Sequence, residues 1–263
     1  MTERLVTLSK DALVGTLTLN RPEKLNALSP QLMDEFDSLV AEAASDAEIK
    51  ALVIRGAGRA FSAGYDLTRG SEGETIEQDR ERLQANLERW QRLRDFPKPV
   101  IAMVHGYCLA GATQLCMCAD VIFVAADASV GFPSVPVGAG LLGQMWAWYV
   151  GSHRAKYLSF LAASHVTGEE SERFGWATKA YPADALERET YGYARRIVKV
   201  PSDLLRIKKL AVDRVMDVRG FKTAMMFGAE WDAIAHETEG VREVRQMIRE
   251  WGLSGAIQWF RER

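Results

Sequence analysis

The chain has 263 residues, 48% of them hydrophobic and 26% charged, with a net charge of −2. That is enough chain to bury the core of one large domain without disulfide or metal staples, and the charge balance gives no argument for a nucleic-acid partner. The opening MTERLVTLSK lacks the apolar stretch of a secretory signal. The longest nearly apolar run, 135–150, is too short for a membrane span and is broken by Pro136, glycines and Gln144, so a cytoplasmic chain is expected.

Residues 5–9 and 13–19 alternate in polarity and read as a hairpin turning at Lys10-Asp11. The next segment, NRPEKLNAL at 20–28, is a turn-rich loop leading into a helix. Ser29 is a good N-cap there, Pro30 suits the first helical position, and Leu32, Met33, Phe36, Leu39, Val40 and Ala43 form one apolar face. A short buried strand at 51–54 precedes a glycine turn, and Ala60–Leu67 contains a second one at Gly64. Residues 68–80 are polar and glycine-containing and read as a mobile surface loop. A charged helix then runs to about Arg94, ended by Pro97 and Pro99.

The central stretch is VIAMVHGYCLAGATQLCMCAD, residues 100–120. An apolar strand breaks at His105-Gly106, and Leu109-Ala110-Gly111 leads into a buried helix from about Ala112 to Cys118. A glycine at a helix start presents unpaired N–H groups at the positive end of the helix dipole, a setting that stabilises an anion. Cys108, Cys116 and Cys118 all lie in this stretch. Cys116 and Cys118 point to different helix faces, and all three read as reduced core thiols rather than a disulfide or metal site. Another buried strand follows at 121–124. From Arg154 onward the pattern is mostly helical, at 154–163, 169–175, 183–199, 202–217, 220–236 and 239–251. Strand–helix alternation first and helices last predicts an α/β core with a helical C-terminal layer.

The two glycine turns, AGYDL and HGYCLAGATQL, each follow a buried strand. With NRPEKLNAL, GAGRAFSAGYDL, the block KPVIAMVHGYCLAGATQLCMCADVIFVAADA, VGFPSVPVG and VTGEESERFGWATKAYP, they resemble the crotonase superfamily, the enoyl-CoA hydratase/isomerase family. The resemblance implies stacked β-β-α turns over residues 1–195, a helical trimerisation region over 196–263, and a homotrimer or dimer of trimers. It also implies an acyl-CoA substrate, with coenzyme A entering only as part of the thioester and no permanently bound cofactor or metal. By motif, the family's two backbone oxyanion donors fall on Tyr65 and Gly111. The binding surface for the coenzyme falls on Lys24, Leu25, Ala27, Ala63, Asp66 and Leu67, with Tyr65 and Gly111. Lys24 is a candidate for a phosphate, against the ordinary alternative of a solvated surface lysine.

The family's hydratases carry two glutamates, and the matching positions here are Gln114 and Ser134. Hydration needs a base to activate water and an acid to protonate Cα, and neither an amide nor an unassisted hydroxyl titrates in the useful range. Efficient hydration is therefore not expected, although a thioester pocket is. Ser134 could act as a nucleophile only beside a histidine or aspartate, and no Gly-x-Ser-x-Gly elbow surrounds it. Gln114 could hold a water or orient a carbonyl. His105, His153, His165 and His236 are undecided between core and catalytic roles, while Glu169, Glu170, Glu230 and Asp232 read as solvated helix charges.

Residues 138–143, GAGLLG, match the dinucleotide fingerprint, but Pro136 disrupts the preceding strand and no acidic residue follows at the required distance. Trp146 and Trp148 read as packing or acyl-pocket wall. The basic residues from Arg195 to Lys222 are a candidate for the coenzyme's 3′-phosphate, against a solvated helix face. Val241, Val244, Met247, Ile248 and Trp251 give the last helix an apolar side suited to a neighbouring subunit. Taken together the chain reads as an enzyme acting on an acyl-CoA thioester through an enolate. The alternatives are a non-catalytic acyl-CoA binding protein or a thioester hydrolase.

Overall fold

The computed structural model describes residues 4–67, 74–138, 143–163 and 165–262. It begins with β1 (Val6–Asp11) and β2 (Val14–Leu19), an antiparallel hairpin. The turn sits at Ala12-Leu13, not at Lys10-Asp11. Both turn residues have positive φ, 45° and 70°, the hand that matches twisted strands in a two-residue hairpin. Helix α1 (Pro30–Ser45) starts as its sequence dictates, with the Ser29 side chain accepting from the Leu32 N–H at 3.2 Å and Pro30 at the first position.

Strand β3 (Ala51–Gly56), helix α2 (Ile76–Arg94) and strand β4 (Val100–Val104) follow. Thr75 and Gln78 form a reciprocal cap on α2, so helix replaces the expected loop over 76–80; residues 74 and 75 are non-helical, and 68–73 lie outside the described residues. The chain then runs through β5 (Tyr107–Leu109), α3 (Gly111–Met117), β6 (Val121–Ala125) and β7 (Ser129–Gly131). Helices α4 (Gly143–Val150) and α5 (Ser152–Phe160), strand β8 (His165–Thr167), helix α6 (Gly168–Phe174) and strand β9 (Lys179–Tyr181) complete the core. The tail is helical: α7 (Leu186–Ile197), α8 (Ser202–Val218), α9 (Phe221–His236) and α10 (Glu239–Glu262).

The strands form two sheets. One has the order β1-β2-β3-β4-β6-β9, parallel after the first hairpin, and the other the order β5-β7-β8. From β4 to β7 consecutive strands alternate between them: β4 leads to β5, and β6 leads to β7. The switch after β4 is made at Gly106, whose φ of +58° an L side chain rarely adopts. Strand β4 is buried along its whole length, as its unbroken apolar run requires of a parallel strand covered on both faces.

This repetition positions the site. Ser62 bridges Cys108 of β5, β5 pairs in parallel with β7, and Leu28 bridges Tyr65. Segments 25–28, 62–66, 107–111 and 129–134 are therefore laid side by side although they are far apart in the chain. Asn26, fully buried, fixes the first of them. Its Oδ1 accepts from the Arg21 N–H at 2.8 Å, and its Nδ2 donates to the Ala57 and Ala60 carbonyls at 2.9 and 2.8 Å.

Helix α9 packs against α2 and α4. Helix α10 breaks at Gly252 (φ 70°, ψ 165°) and continues past the expected end at 251. The apolar side expected to meet a neighbouring subunit is partly used within the chain, since Val244 and Ile248 pack with Val135 and Val137. Trp146 is a packing residue: it stacks on Trp176 at 5.6 Å, lies 5.3 Å from Phe132, and donates to Thr113 Oγ1 at 3.2 Å. All three cysteines are free and buried. Among the described residues, no helix is long and apolar enough to cross a membrane.

Candidate active site

A cavity of about 1620 Å3 opens between the aligned segments and helices α2, α9 and α10. Leu25, Ala63, Tyr65, Asp66, Leu67, Gly111 and Ser134 line it, as do His165, Asp232 and His236. Lys24 and Ala27 are not on its wall, and Lys24 is exposed. Residues 139–142 of the glycine-rich fingerprint lie outside the described residues. Of the basic residues expected to reach a phosphate, Lys209 pairs with Asp120 at 2.9 Å and Lys222 with Asp95 at 3.3 Å, and none between Arg195 and Lys222 lines this cavity.

Two glycines press the sharp turns together. Gly64 has φ +91°, and a Cβ there would stand 2.6 Å from the Leu109 carbonyl oxygen and 2.7 Å from the Ala110 Cβ. Gly111 takes the Tyr65 ring against its backbone, where a Cβ would lie 2.5–2.8 Å from three ring carbons. Between them Ala110 is held at φ 51°, ψ −126°, a conformation that costs an alanine on the order of 1–3 kcal/mol. The strain sits at the turn that leads into Gly111, on the cavity wall. Leu28 accepts from Asp66 and donates to Gly64, so the intervening Tyr65 N–H faces away from that ladder. Gly111, as the first residue of α3, has no intrahelical acceptor for its own N–H. Among the described residues neither N–H makes a hydrogen bond.

Gln114 and Ser134, the positions that the sequence resemblance matches to the family's glutamates, differ in setting. Gln114 is fully buried behind Tyr65: its Oε1 accepts the Tyr65 hydroxyl at 2.8 Å, and the Trp90 indole N–H donates to the same hydroxyl at 2.9 Å. Burial pushes the Tyr65 phenol well above its ordinary pKa, so it remains a protonated donor. Ser134 stands on the cavity wall with its Oγ 3.3 Å from His165 Nε2. Burial, helped by the Arg261 charge, holds His165 below its ordinary value despite a hydrogen bond with the Phe132 backbone. The ring is therefore neutral at pH 7 and can accept a proton. Among the four histidines the structure thus separates His165, beside Ser134, from His105, which bonds the Gly58 carbonyl at 2.9 Å away from the cavity.

A second polar group lies across α2 and α9. Asp79 Oδ2 is 2.5 Å from His236 Nδ1, and His236 Nε2 is 3.8 Å from Asp232 Oδ2. Asp79 also pairs with Arg82. Asp232 is only 6% exposed, so the reading of a solvated helix charge fails for it. Its sequence signal was present: Asp232 falls among Met225, Ala229 and Ala233 on the buried side of α9, as Asp79 shares the buried side of α2 with Leu83 and Leu87. Among the described residues, no three His, Cys, Asp or Glu side chains are grouped to hold a metal ion.

A family model described as enoyl-CoA hydratase/isomerase matches residues 9–249. The chain belongs to that family, within the crotonase superfamily. The short-chain-enoyl-CoA hydratase of Clostridium acetobutylicum is 31% identical over 90% of this chain and 92% of its own length. The crystal structure of an enoyl-CoA hydratase/isomerase family protein from Novosphingobium aromaticivorans superposes with a TM-score of 0.94 at 34% identity, covering 97% of this chain and 94% of that one. One from Xanthobacter autotrophicus Py2 gives 0.91 at 30% identity, covering 98% of both chains. The crotonase fold expected from the glycine turns is the fold observed, with its helical C-terminal layer.

Proposed function

We propose that this family member acts on the acyl group of a coenzyme A thioester through an enolate held by the Tyr65 and Gly111 N–H groups. The observation that carries the reading is the pair of unpaired amides, pressed together by Gly64 and Gly111 at the wall of a large cavity. Deprotonating a thioester at Cα moves negative charge onto the carbonyl oxygen, and each preorganised N–H aimed at that charge is worth roughly 3–4 kcal/mol in comparable sites. Leu25, Ala63, Asp66 and Leu67 supply the wall along which the coenzyme would lie, with Lys24 outside it. Gln114 and Ser134 offer no carboxylate, so hydration of an enoyl-CoA is expected to be poor even where binding is good. A kinetic assay with short, medium and long trans-2-enoyl-CoAs, paired with titration of a saturated acyl-CoA, tests this. Saturable acyl-CoA binding with weak hydration is expected; failure to bind any acyl-CoA overturns the reading.

One observation favours a second reading, thioester hydrolysis. Ser134 has the histidine that a nucleophilic serine, or a water at the same place, would need. The base form of His165 is stabilised by burial, so hydrolysis through it would persist as pH falls through 6.5, the ring's ordinary value, and fail only below it. Release of free thiol from an acyl-CoA with that acid limb, lost in Ser134→Ala, would support hydrolysis. Thiol release unaffected by the substitution would remove Ser134 from it.

The exposed apolar surface supports self-association. Val218 is 89% and Trp231 59% exposed, in company with Val212, Val215, Phe227 and Ile234 on α8 and α9. A homotrimer or dimer of trimers is the assembly the family resemblance implies. Light scattering should give three or six times the 29.3 kDa chain mass, and a monomer at micromolar concentration would contradict it.

A further inference from the structure

We propose that Asp232, backed by His236 and Asp79, is the acid–base group that removes and returns the substrate proton in this cavity. The proposal rests on the enolate reading above and names the residue that reading lacks. Its grounds are geometric. Asp232 is a buried carboxylate on the cavity wall, and Gly138 makes room for it: a Cβ there would fall 2.5 Å from Asp232 Oδ1. The charge of Asp232 reaches the phenol of Tyr65, the residue whose own N–H is one of the two proposed oxyanion donors. Behind it stands an ordered pair, with His236 Nδ1 2.5 Å from Asp79 and His236 Nε2 turned toward Asp232 at 3.8 Å.

The state of Asp79 fixes the direction of this arrangement. Burial alone would raise its pKa, but the hydrogen bond with His236 and the charges of His236 and Arg82 together bring it below the ordinary carboxylate value. The contact with Asp79 fixes the His236 ring, with Nε2 on the side of Asp232. His236, bonded to Asp79 and 3.8 Å from Asp232, links the two buried carboxylates across α2 and α9. Asp232 belongs to α9, an element that carries neither of the family motif's glutamate positions.

The step balances without a further reagent. The Asp232 carboxylate takes a proton from the acyl carbon next to the thioester carbonyl, or from its vinylogous position. The C–H electron pair moves into the carbon framework, and the carbonyl π pair moves to oxygen, where the Tyr65 and Gly111 amides hold the charge. On collapse, neutral Asp232 gives its proton back to carbon. In deuterated water the acid exchanges with solvent between the two events, and the acyl group gains deuterium.

The test measures deuterium incorporation into a saturated acyl-CoA by mass spectrometry, alongside acyl-CoA affinity by calorimetry. Asp232→Asn should lower the exchange rate at least about 100-fold, the usual scale for a lost general base, and leave the affinity within about threefold. His236→Gln, which acts through Asp232, should lower exchange to a smaller degree with affinity likewise unchanged, a split that loss of packing would not give. Should Asp232→Asn fold poorly, Asp232→Ala with added formate replaces it, and restored exchange on adding the carboxylate is the expected result. Wild-type exchange in Asp232→Asn overturns the proposal while leaving the enolate reading intact. Absence of exchange in the wild-type protein that still binds acyl-CoA overturns the enolate reading itself, and the proposal with it.

Discussion

Gly111→Ala is expected to slow thioester chemistry about 10²–10³-fold, the effect of removing one oxyanion donor. The alanine Cβ would enter the Tyr65 ring at 2.5–2.8 Å, well inside contact distance. The ring cannot step aside cheaply, because its hydroxyl is pinned by Trp90 at 2.9 Å and Gln114 at 2.8 Å in a buried setting. Either the ring leaves and takes the Tyr65 backbone with it, or α3 is pushed back and carries the Gly111 N–H out of line. Either way one methyl group displaces one of the two donors. Measured exchange or turnover, with acyl-CoA affinity and melting temperature taken on the same variant, checks this. A variant that folds, binds and reacts like the parent would remove the two amides from the mechanism.

Trp146→Ala is expected to destabilise the fold by about 3–5 kcal/mol, the range for truncating a fully buried aromatic. Trp146 joins three parts of the core: Thr113 of α3 through its indole N–H, Trp176 by stacking, and Phe132 on the segment leading to Ser134. The loss combines a large cavity with an orphaned Thr113 contact, and it falls on the helix that presents Gly111. Denaturant unfolding should show a lower midpoint at an unchanged slope. A change under 1 kcal/mol would mean that the site collapses onto the gap far better than a packed core allows.

The glycine turns were legible because they have a local cause. Gly64 needs a left-handed φ and Gly111 needs room for a ring, and both follow apolar strands that a sequence shows directly. The cap at Ser29, the buried strand β4 and the helical tail were legible for the same reason. The strands β7, β8 and β9 were not, since three residues carry too little periodicity to register. The last turns of α10 were hidden by Gly252, which interrupts the pattern without ending the element. Ser134 and His165 lie 31 residues apart, and Asp79 and His236 lie 157 apart. Only the pairing of β7 with β8 and the packing of α9 on α2 bring these partners together. A charged residue on an apolar helix stripe was the one available signal for Asp79 and Asp232, and it does not name a partner.

The central claim is that this cavity ionises a thioester at carbon, and deuterium incorporation from solvent into a bound saturated acyl-CoA reads that event without requiring a product to be known. The account predicts exchange at Cα that saturates with acyl-CoA and stops when Gly111 is replaced by alanine. Acyl-CoA bound tightly, with its Cα protons retained over hours, would contradict it and leave a binding protein in place of an enzyme.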